Sequence, residues 1–469
     1  MRKRTLLLAT ALTTGLLSAL PATTASATPS GLAGDFNGDG YRDVAVAAPL
    51  LTVGKARSAG AVVVFYGSAT GVSAAKRVVI TQNTAGVPGT AATDDRFGDS
   101  LATGDLDGDG YADLAVGARF ESVGSQRHVG QVTVLWGGRS GLTSGTTLPV
   151  PAGLREWGGY GAGLAVGDFN GDGRNDLTAT GQTDSRVYQG PFTRKGAATT
   201  FSPNIGTTYD AVAGDLNGDG AAERLHTFEV SGDEGGEVLY FTWNGAHYVR
   251  KELPGADGIA AAIADVNGDG YGDIVLGDAQ DPRSGKPSGH KGGQISVWYG
   301  SATGPDPDQT PTVIDQDTAG VPDTGEAGDA FGASLSAGDV NGDGYADVAV
   351  GAPGENVGTK ADAGAVTVLY GSATGLAGKG AKTFTQNTAG VPGTAETADG
   401  FGGSVRLIDL DKNRRADLVV GVHGEDAQFG AVTVLKGATT GLTGSGARTI
   451  TAANVGLKSE GFFGAAIGQ

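Results

Sequence analysis

The chain has 469 residues, with 51 Asp and Glu against 33 Lys and Arg for a formal net charge of −18, and it has no cysteine. That acidity excludes nucleic acid and anionic membrane as principal partners. The missing cysteines exclude a disulfide framework and thiol chemistry, so the fold must rest on its core, its backbone hydrogen bonds or bound cations.

In chain order, the first element is a leader. Arg2, Lys3 and Arg4 form a basic n-region, Leu6 to Leu20 is an apolar run, and Ala25-Ser26-Ala27 is a small-x-small cleavage site. Together they predict a secretory signal peptide over residues 1–27. The run is shorter than the roughly 20 residues a spanning helix needs, and no later stretch could cross a bilayer. The expectation is a secreted, extracellular product with no anchor. Cleavage leaves 30 basic residues against 51 acidic ones, a net charge of −21.

An acidic element then recurs seven times: DFNGDGYRD (35–43), DLDGDGYAD (105–113), DFNGDGRND (168–176), DLNGDGAAE (215–223), DVNGDGYGD (265–273), DVNGDGYAD (339–347) and DLDKNRRAD (409–417). Each is followed by a short apolar stretch such as DLAVGAR (113–119). A glycine-opened strand such as GAVTVLYG (364–371) comes next, then a turn and a third strand such as KRVVITQ (76–82). With the strand that leads into the acidic loop, every unit holds four short strands. Units of 47 to 74 residues predict an all-β, seven-bladed β-propeller. The expected blades are 30–95, 96–158, 159–206, 207–256, 257–329, 330–399 and 400–461. Four units begin with an aromatic-glycine pair: Phe97-Gly98, Tyr160-Gly161, Phe331-Gly332 and Phe401-Gly402. The first lacks one, yet the chain ends in FFGAAIGQ (462–469), whose Phe463-Gly464 starts another unit. Residues 462–469 are therefore expected to close the ring with blade one; a linear solenoid would not need them.

The acidic loops read Asp-x-[Asp/Asn]-Gly-Asp-Gly-x-x-[Asp/Glu] and hold 22 of the 51 carboxylates. Oxygens at positions 1, 3, 5 and 9 converge only in a tight loop, and glycine at positions 4 and 6 permits the positive φ that this requires. A hard-oxygen donor set without His or Cys suits Ca2+, with a backbone carbonyl from position 7 completing the shell. The expected ligands are Asp35, Asn37, Asp39, Tyr41 and Asp43; Asp105, Asp107, Asp109, Tyr111 and Asp113; and Asp168, Asn170, Asp172, Arg174 and Asp176. The next three loops offer Asp215, Asn217, Asp219, Ala221 and Glu223; Asp265, Asn267, Asp269, Tyr271 and Asp273; and Asp339, Asn341, Asp343, Tyr345 and Asp347. Loop seven offers Asp409, Asp411, Asn413 and Asp417, but Lys412 and Arg414 replace its glycines and are candidates to substitute for a cation. Six Ca2+ are expected, with the seventh site left open. An EF-hand is excluded, because position 12 is Val46, Val116 or Val350 within a strand instead of Glu.

Phe-Gly, the acidic loop and Gly-Ala-Pro (351–353, with Ala47-Ala48-Pro49 as a variant) together resemble the FG-GAP repeat, which builds the seven-bladed propeller at the head of integrin α subunits. The resemblance spans residues 30–469. Units three and four depart from it: both are short and lack Gly-Ala-Pro, the fourth also lacks the aromatic-glycine pair, and they stand closer to VCBS-type repeats. The resemblance implies calcium loops on one face and ligand recognition mainly on the other.

No catalytic constellation emerges. The five histidines, His128, His226, His247, His290 and His423, share no metal-ligand spacing. The GDSL string at 98–101 matches a lipase and esterase motif, but Ser100 is in register with the serines of FGASL (331–335) and FGGSV (401–405), which makes it a repeat position. Arg119, Phe120, Arg127, His128, Trp157 and Tyr160 gather near blades two and three and form a candidate ligand patch. The reading is a monomeric, non-enzymatic binding or adhesion module for an unknown extracellular protein or glycan. The alternatives are a secreted propeller-scaffold enzyme acting on polysaccharide or ester substrates, and a lectin.

Overall fold

A computed structural model describes residues 30–150, 153–182, 184–196, 199–201, 210–228, 238–282 and 289–468, so the predicted signal peptide lies outside the described residues. β-Branched runs between glycine-rich turns set the elements. In each repeat the stretch after the acidic loop (Val44–Ala48, Asp113–Ala118, Asp273–Asp278, Asp347–Ala352, Asp417–Val422) is buried along its whole length. Such strands are packed on both faces, which is why they read as continuous apolar runs and not as alternation.

Seven antiparallel sheets result, with strands hydrogen-bonded in chain order. Blade two, for example, is Ser100–Gly104, Asp113–Ala118, Gln131–Trp136 and Ser144–Thr147. Six sheets have four strands, and the first (Val44–Ala48, Ala61–Phe65, Arg77–Ile80) has three. The missing place beside Val44–Ala48 is filled from the C-terminus. Val46 bridges Ile467, Ala47 N donates to Ala466 O at 2.8 Å, and Gly464 N and Gly468 N donate to Ala47 O and Ala45 O at 2.9 Å each. The architecture is a seven-bladed β-propeller.

The first strands of neighbouring blades pack on one another. They surround a central cavity of about 320 Å³ lined by small and apolar residues such as Ala102, Val166, Val212, Ala262 and Ala337. Between blades, the aromatic-glycine pair is a stitch. Phe97, Tyr160, Phe331, Phe401 and Phe463 are all buried. Their N–H groups donate to Ala59, Val129, Gly292, Ala363 and Phe429 of the preceding blade. The glycine carbonyl then lies against the preceding blade, where a Cβ on Gly117 or Gly421 would come within 2.1 or 2.0 Å of Gly161 O or Gly464 O. Backbone at that distance leaves room only for glycine. Helical structure among the described residues is limited to the four-residue turns Glu425–Gln428 and Ala452–Val455.

Candidate functional site

The acidic loops of blades two to seven join the first strand to the second, and that of blade one leads into Val44–Ala48 at the same place, on one face of the ring. Loop two shows how the sequence builds them. Asp105 Oδ1 accepts from Gly108 N at 2.8 Å and its Oδ2 from Gly110 N at 2.9 Å; Asp109 Oδ1 accepts from Tyr111 N at 3.0 Å. Asp113 lies beneath, its two oxygens accepting from Leu106 N and Gly137 N. Carboxylate oxygens of Asp105, Asp107 and Asp109 then converge within 4.8 Å of one another. The same bonds recur elsewhere: Asp339 accepts from Gly342 and Gly344, Asp343 from Tyr345, and Asp347 from Val340 and Gly371.

The position-9 acids are the electrostatic core of each loop. All are buried, and desolvation is the first cause that raises each carboxyl pKa. Asp43 is pushed to about 8, Asp113, Glu223 and Asp347 to about 7, and Asp176, Asp273 and Asp417 to about 6. Neighbouring loop carboxylates push the same way in every case, and backbone N–H donors offset only part of it. A hard-oxygen pocket with clustered, partly desolvated carboxylates fits a divalent cation of the Ca2+ class.

Two loops also have a basic side chain against their acids. In loop two, Arg194 of blade three reaches across, with Nε 3.2 Å from Asp107 and Nη2 3.1 Å from Asp109. In loop seven, Lys436 Nζ lies 2.9 Å from Asp411. The sequence pointed to Lys412 and Arg414 as stand-ins, but the geometry gives that place to Lys436, which replaces the aromatic found at Tyr66, Trp136, Tyr299 and Tyr370 in the other long repeats. Lys412 lies over the Tyr41 ring at 4.3 Å, and Arg415 Nε donates to Asn341 O. Lys412 and Arg414 hold φ of +63° and +65° where the other loops have glycine. Loop seven therefore keeps the loop conformation at a strain cost of about 1 kcal/mol or more per residue.

The loops are also linked to one another. Ala112, Ala222, Gly272, Ala346 and Ala416 each donate N–H to the carbonyl of the preceding loop's first aspartate, at 2.7–3.0 Å, and Asn175 Nδ2 makes the same link to Asp105 O. Position-7 tyrosines complete the contact: a Cβ on Gly38 would meet the Tyr111 ring at 2.5 Å, and one on Gly268 the Tyr345 ring at 2.6 Å.

On the opposite face, the six patch residues lie on the loops after Asp113–Ala118 and before Leu164–Gly167. His128 and Trp157 stack with ring centroids 4.2 Å apart, Phe120 meets His128 edge-on at 5.5 Å, and Arg96 and Arg119 lie over the Phe120 ring. Trp157 is 59% exposed, and Arg119 pairs with Asp99. Arg127 is exposed nearby, its N–H on Glu156. Tyr160 is a correction: it is 1% exposed and its hydroxyl donates to Tyr188 at 2.8 Å, because it is the aromatic of its blade's stitch. Ser100 Oγ donates to Gly161 O at 2.7 Å, as Ser334 and Ser404 do to Gly402 O and Gly464 O. The GDSL serine is an inter-blade latch. Sequence reasoning missed a second repeated pin, Gln82–Glu121, Gln316–Glu355 and Gln386–Glu425 at 2.6–2.7 Å, whose constant spacing of 39 residues was the available signal.

Comparison with known proteins agrees with this geometry. Profiles described as FG-GAP repeat match residues 27–65, 97–135 and 331–369, and one described as FG-GAP-like repeat matches 168–225. The chain is 36% identical over 164 residues to integrin alpha-PS5 of Drosophila melanogaster, covering 34% of this chain and 15% of that protein. It is 31% identical over 186 residues to integrin alpha-3 of Mus musculus, covering 39% and 15%. Phosphatidylinositol-glycan-specific phospholipase D of Rattus norvegicus is 36% identical over 118 residues, 25% of this chain and 13% of that protein. The chain thus matches only a small part of the length of these relatives.

Proposed function

Because this chain carries FG-GAP repeats on a seven-bladed propeller, we propose that it is a secreted, calcium-stabilised binding module of the integrin α-like kind, not an enzyme. Ca2+ in the acidic loops is structural: it neutralises the converging carboxylates and fixes each turn, and its binding energy adds to folding stability. Asp339, Asn341, Asp343 and Asp347 would hold one such ion, and the equivalent residues of the other intact loops hold theirs. The observation that carries this reading is the convergence of Asp105, Asp107 and Asp109 over a buried Asp113. Loop seven, which has lost both glycines and the position-5 acid and has Lys436 on Asp411, holds no ion, whereas loop two keeps all four acids with the more exposed Arg194 at their rim, so six Ca2+ bind per chain. Asp343→Ala is expected to lower that count by one, measured by elemental analysis after dialysis. An unchanged count would overturn the ligand assignment.

The ligand is an extracellular protein or glycan, and it docks on the face away from the loops around Trp157. An exposed indole stacked on an imidazole and flanked by guanidiniums supplies both an apolar anchor and polar contacts. Trp157→Ala is expected to abolish capture of the ligand found in glycan and surface-protein screens, while the melting temperature stays within about 1 °C because the side chain is exposed. Retained capture would move the site elsewhere.

Phospholipase D among the relatives favours a scaffold role in an enzyme as a second reading. The latch geometry of Ser100 and the absence of a nucleophile–base pair in the described site weigh against catalysis by this chain.

A further inference from the structure

The central cavity has an unusual wall. Of its lining residues only Arg406 is charged, and the remainder are small or apolar apart from the hydroxyls of Thr103 and Ser336. Arg406 stands on the first strand of blade seven, Phe401–Ile408. In the other blades this register position is Ala102, Ala165, Val212, Ala262 and Ser336, so a full guanidinium points where the ring elsewhere keeps small groups.

The guanidinium is unpaired. Its Nε is buried without a hydrogen-bond partner, and among the described residues the side chain makes no ion pair. The charge that acts on it is Arg42, which has the same sign and whose Nη1 donates to Ala33 O on the cavity wall. Burial, then Arg42, holds Arg406 down at about 10. In a chain with 51 acidic groups, Arg406 faces a cavity whose wall holds no carboxylate, with Arg42 adding positive charge from outside the wall. A partly desolvated cation left without a partner is destabilising. The cavity, about 320 Å³, has room for a small anion and part of its hydration shell.

We propose that the central channel of the propeller binds a small oxyanion, of carboxylate or sulfate size, with Arg406 as its anchor. The planar fork of Nη and Nε donors matches two oxygens of such a group. Ser336 Oγ, which accepts from Leu407 N at 2.9 Å, keeps its own hydrogen free to donate into the same space. This site is independent of the acidic loops and lies on the ring axis, away from the Trp157 patch.

The test uses the full, calcium-loaded chain, with sulfate in solution and selenate in crystals as probes, and sodium chloride at equal ionic strength as the control. In wild type, selenate is expected to give an anomalous peak in the channel beside Arg406, absent in Arg406→Met. Sulfate at about one hundred times its Kd is expected to raise the wild-type melting temperature by about 3 °C more than that of Arg406→Met. Without oxyanion, the variant should melt at or above wild type, since an unpaired, partly buried charge has been removed. Arg406→Lys keeps the charge but loses the fork, and should bind sulfate at least fivefold more weakly. An empty channel in wild type, equal sulfate responses, or an Arg406→Met that melts lower in every buffer would make Arg406 a structural prop and overturn the proposal. Should Arg406→Met not fold, the selenate peak and the Arg406→Lys titration decide alone.

Discussion

Removing Ca2+ with excess chelator at pH 8 is expected to lower the melting temperature by on the order of 15 °C, and the loss should shrink as the pH falls. At one hundred times its Kd each ion contributes about 2.7 kcal/mol, so six contribute roughly 16 kcal/mol, spread over the unfolding entropy of a chain of this size. The pH dependence follows from the position-9 acids. In the metal-free protein their folded pKa values are raised, to about 8 for Asp43, about 7 for Asp113 and Asp347 and about 6 for Asp176. Between the unfolded value near 4 and these folded values the native state binds more protons than the unfolded chain. Chelated protein should therefore be most stable near pH 4 and lose stability steadily as pH rises to 8. Saturating Ca2+ binds the ionised form and should flatten this slope. Calorimetric scans from pH 4 to 8, with and without chelator, measure both; parallel curves would remove the cation from the account of stability.

The next largest effect is expected at the seam. Phe463 is fully buried, and its ring lies 6.2 Å from that of Phe65 across the junction between the chain's two ends. Phe463→Ala should cost about 3–5 kcal/mol, a fall of roughly 4 °C for a protein of this length. Deleting residues 462–469 should do more. It uncovers the edge of Val44–Ala48, strips the Ala47 N–H and the carbonyls of Ala45 and Ala47 of their partners, and exposes apolar strand. Aggregation at temperatures where wild type stays soluble is the expected readout, because an open, apolar edge pairs with other chains. A truncated protein with the native melting curve would show that this pairing contributes nothing.

The propeller was legible because its signals are local and repeated: glycine-rich acidic loops, apolar strands and aromatic-glycine pairs at fixed offsets. Ser100 could be set aside for the same reason, since its register identified it before its bond to Gly161 was visible. Tyr160 carried that same register signal, and its place in the patch was misread because aromatic character was weighed above position. What remained hidden were contacts between blades. Arg194 reaching Asp107, Lys436 replacing a ring to meet Asp411, and Arg406 facing the axis each depend on a neighbour distant in sequence. No local pattern encodes such a meeting. Lys436 was nonetheless visible as a departure, a lysine where the other long repeats have Tyr or Trp.

The hydrogen-bonded chain of loops divides labour between the two faces of the disc. Loop-to-loop bonds tie the acidic face together, while the stitches and latches join neighbouring blades at the other end of the inner strands. The loop holding Phe120 and His128 joins that frame through its backbone and Glu121, since Trp157 N, Gly159 N and Tyr160 N donate to Arg127 O, His128 O and Val129 O and Gln82 donates to Glu121, while the Trp157 side chain stays exposed. Such a face can change its exposed side chains without disturbing the backbone bonds that support it. The molecule is in effect a mounting plate, in which recognition can be exchanged at low structural risk while the plate keeps its shape.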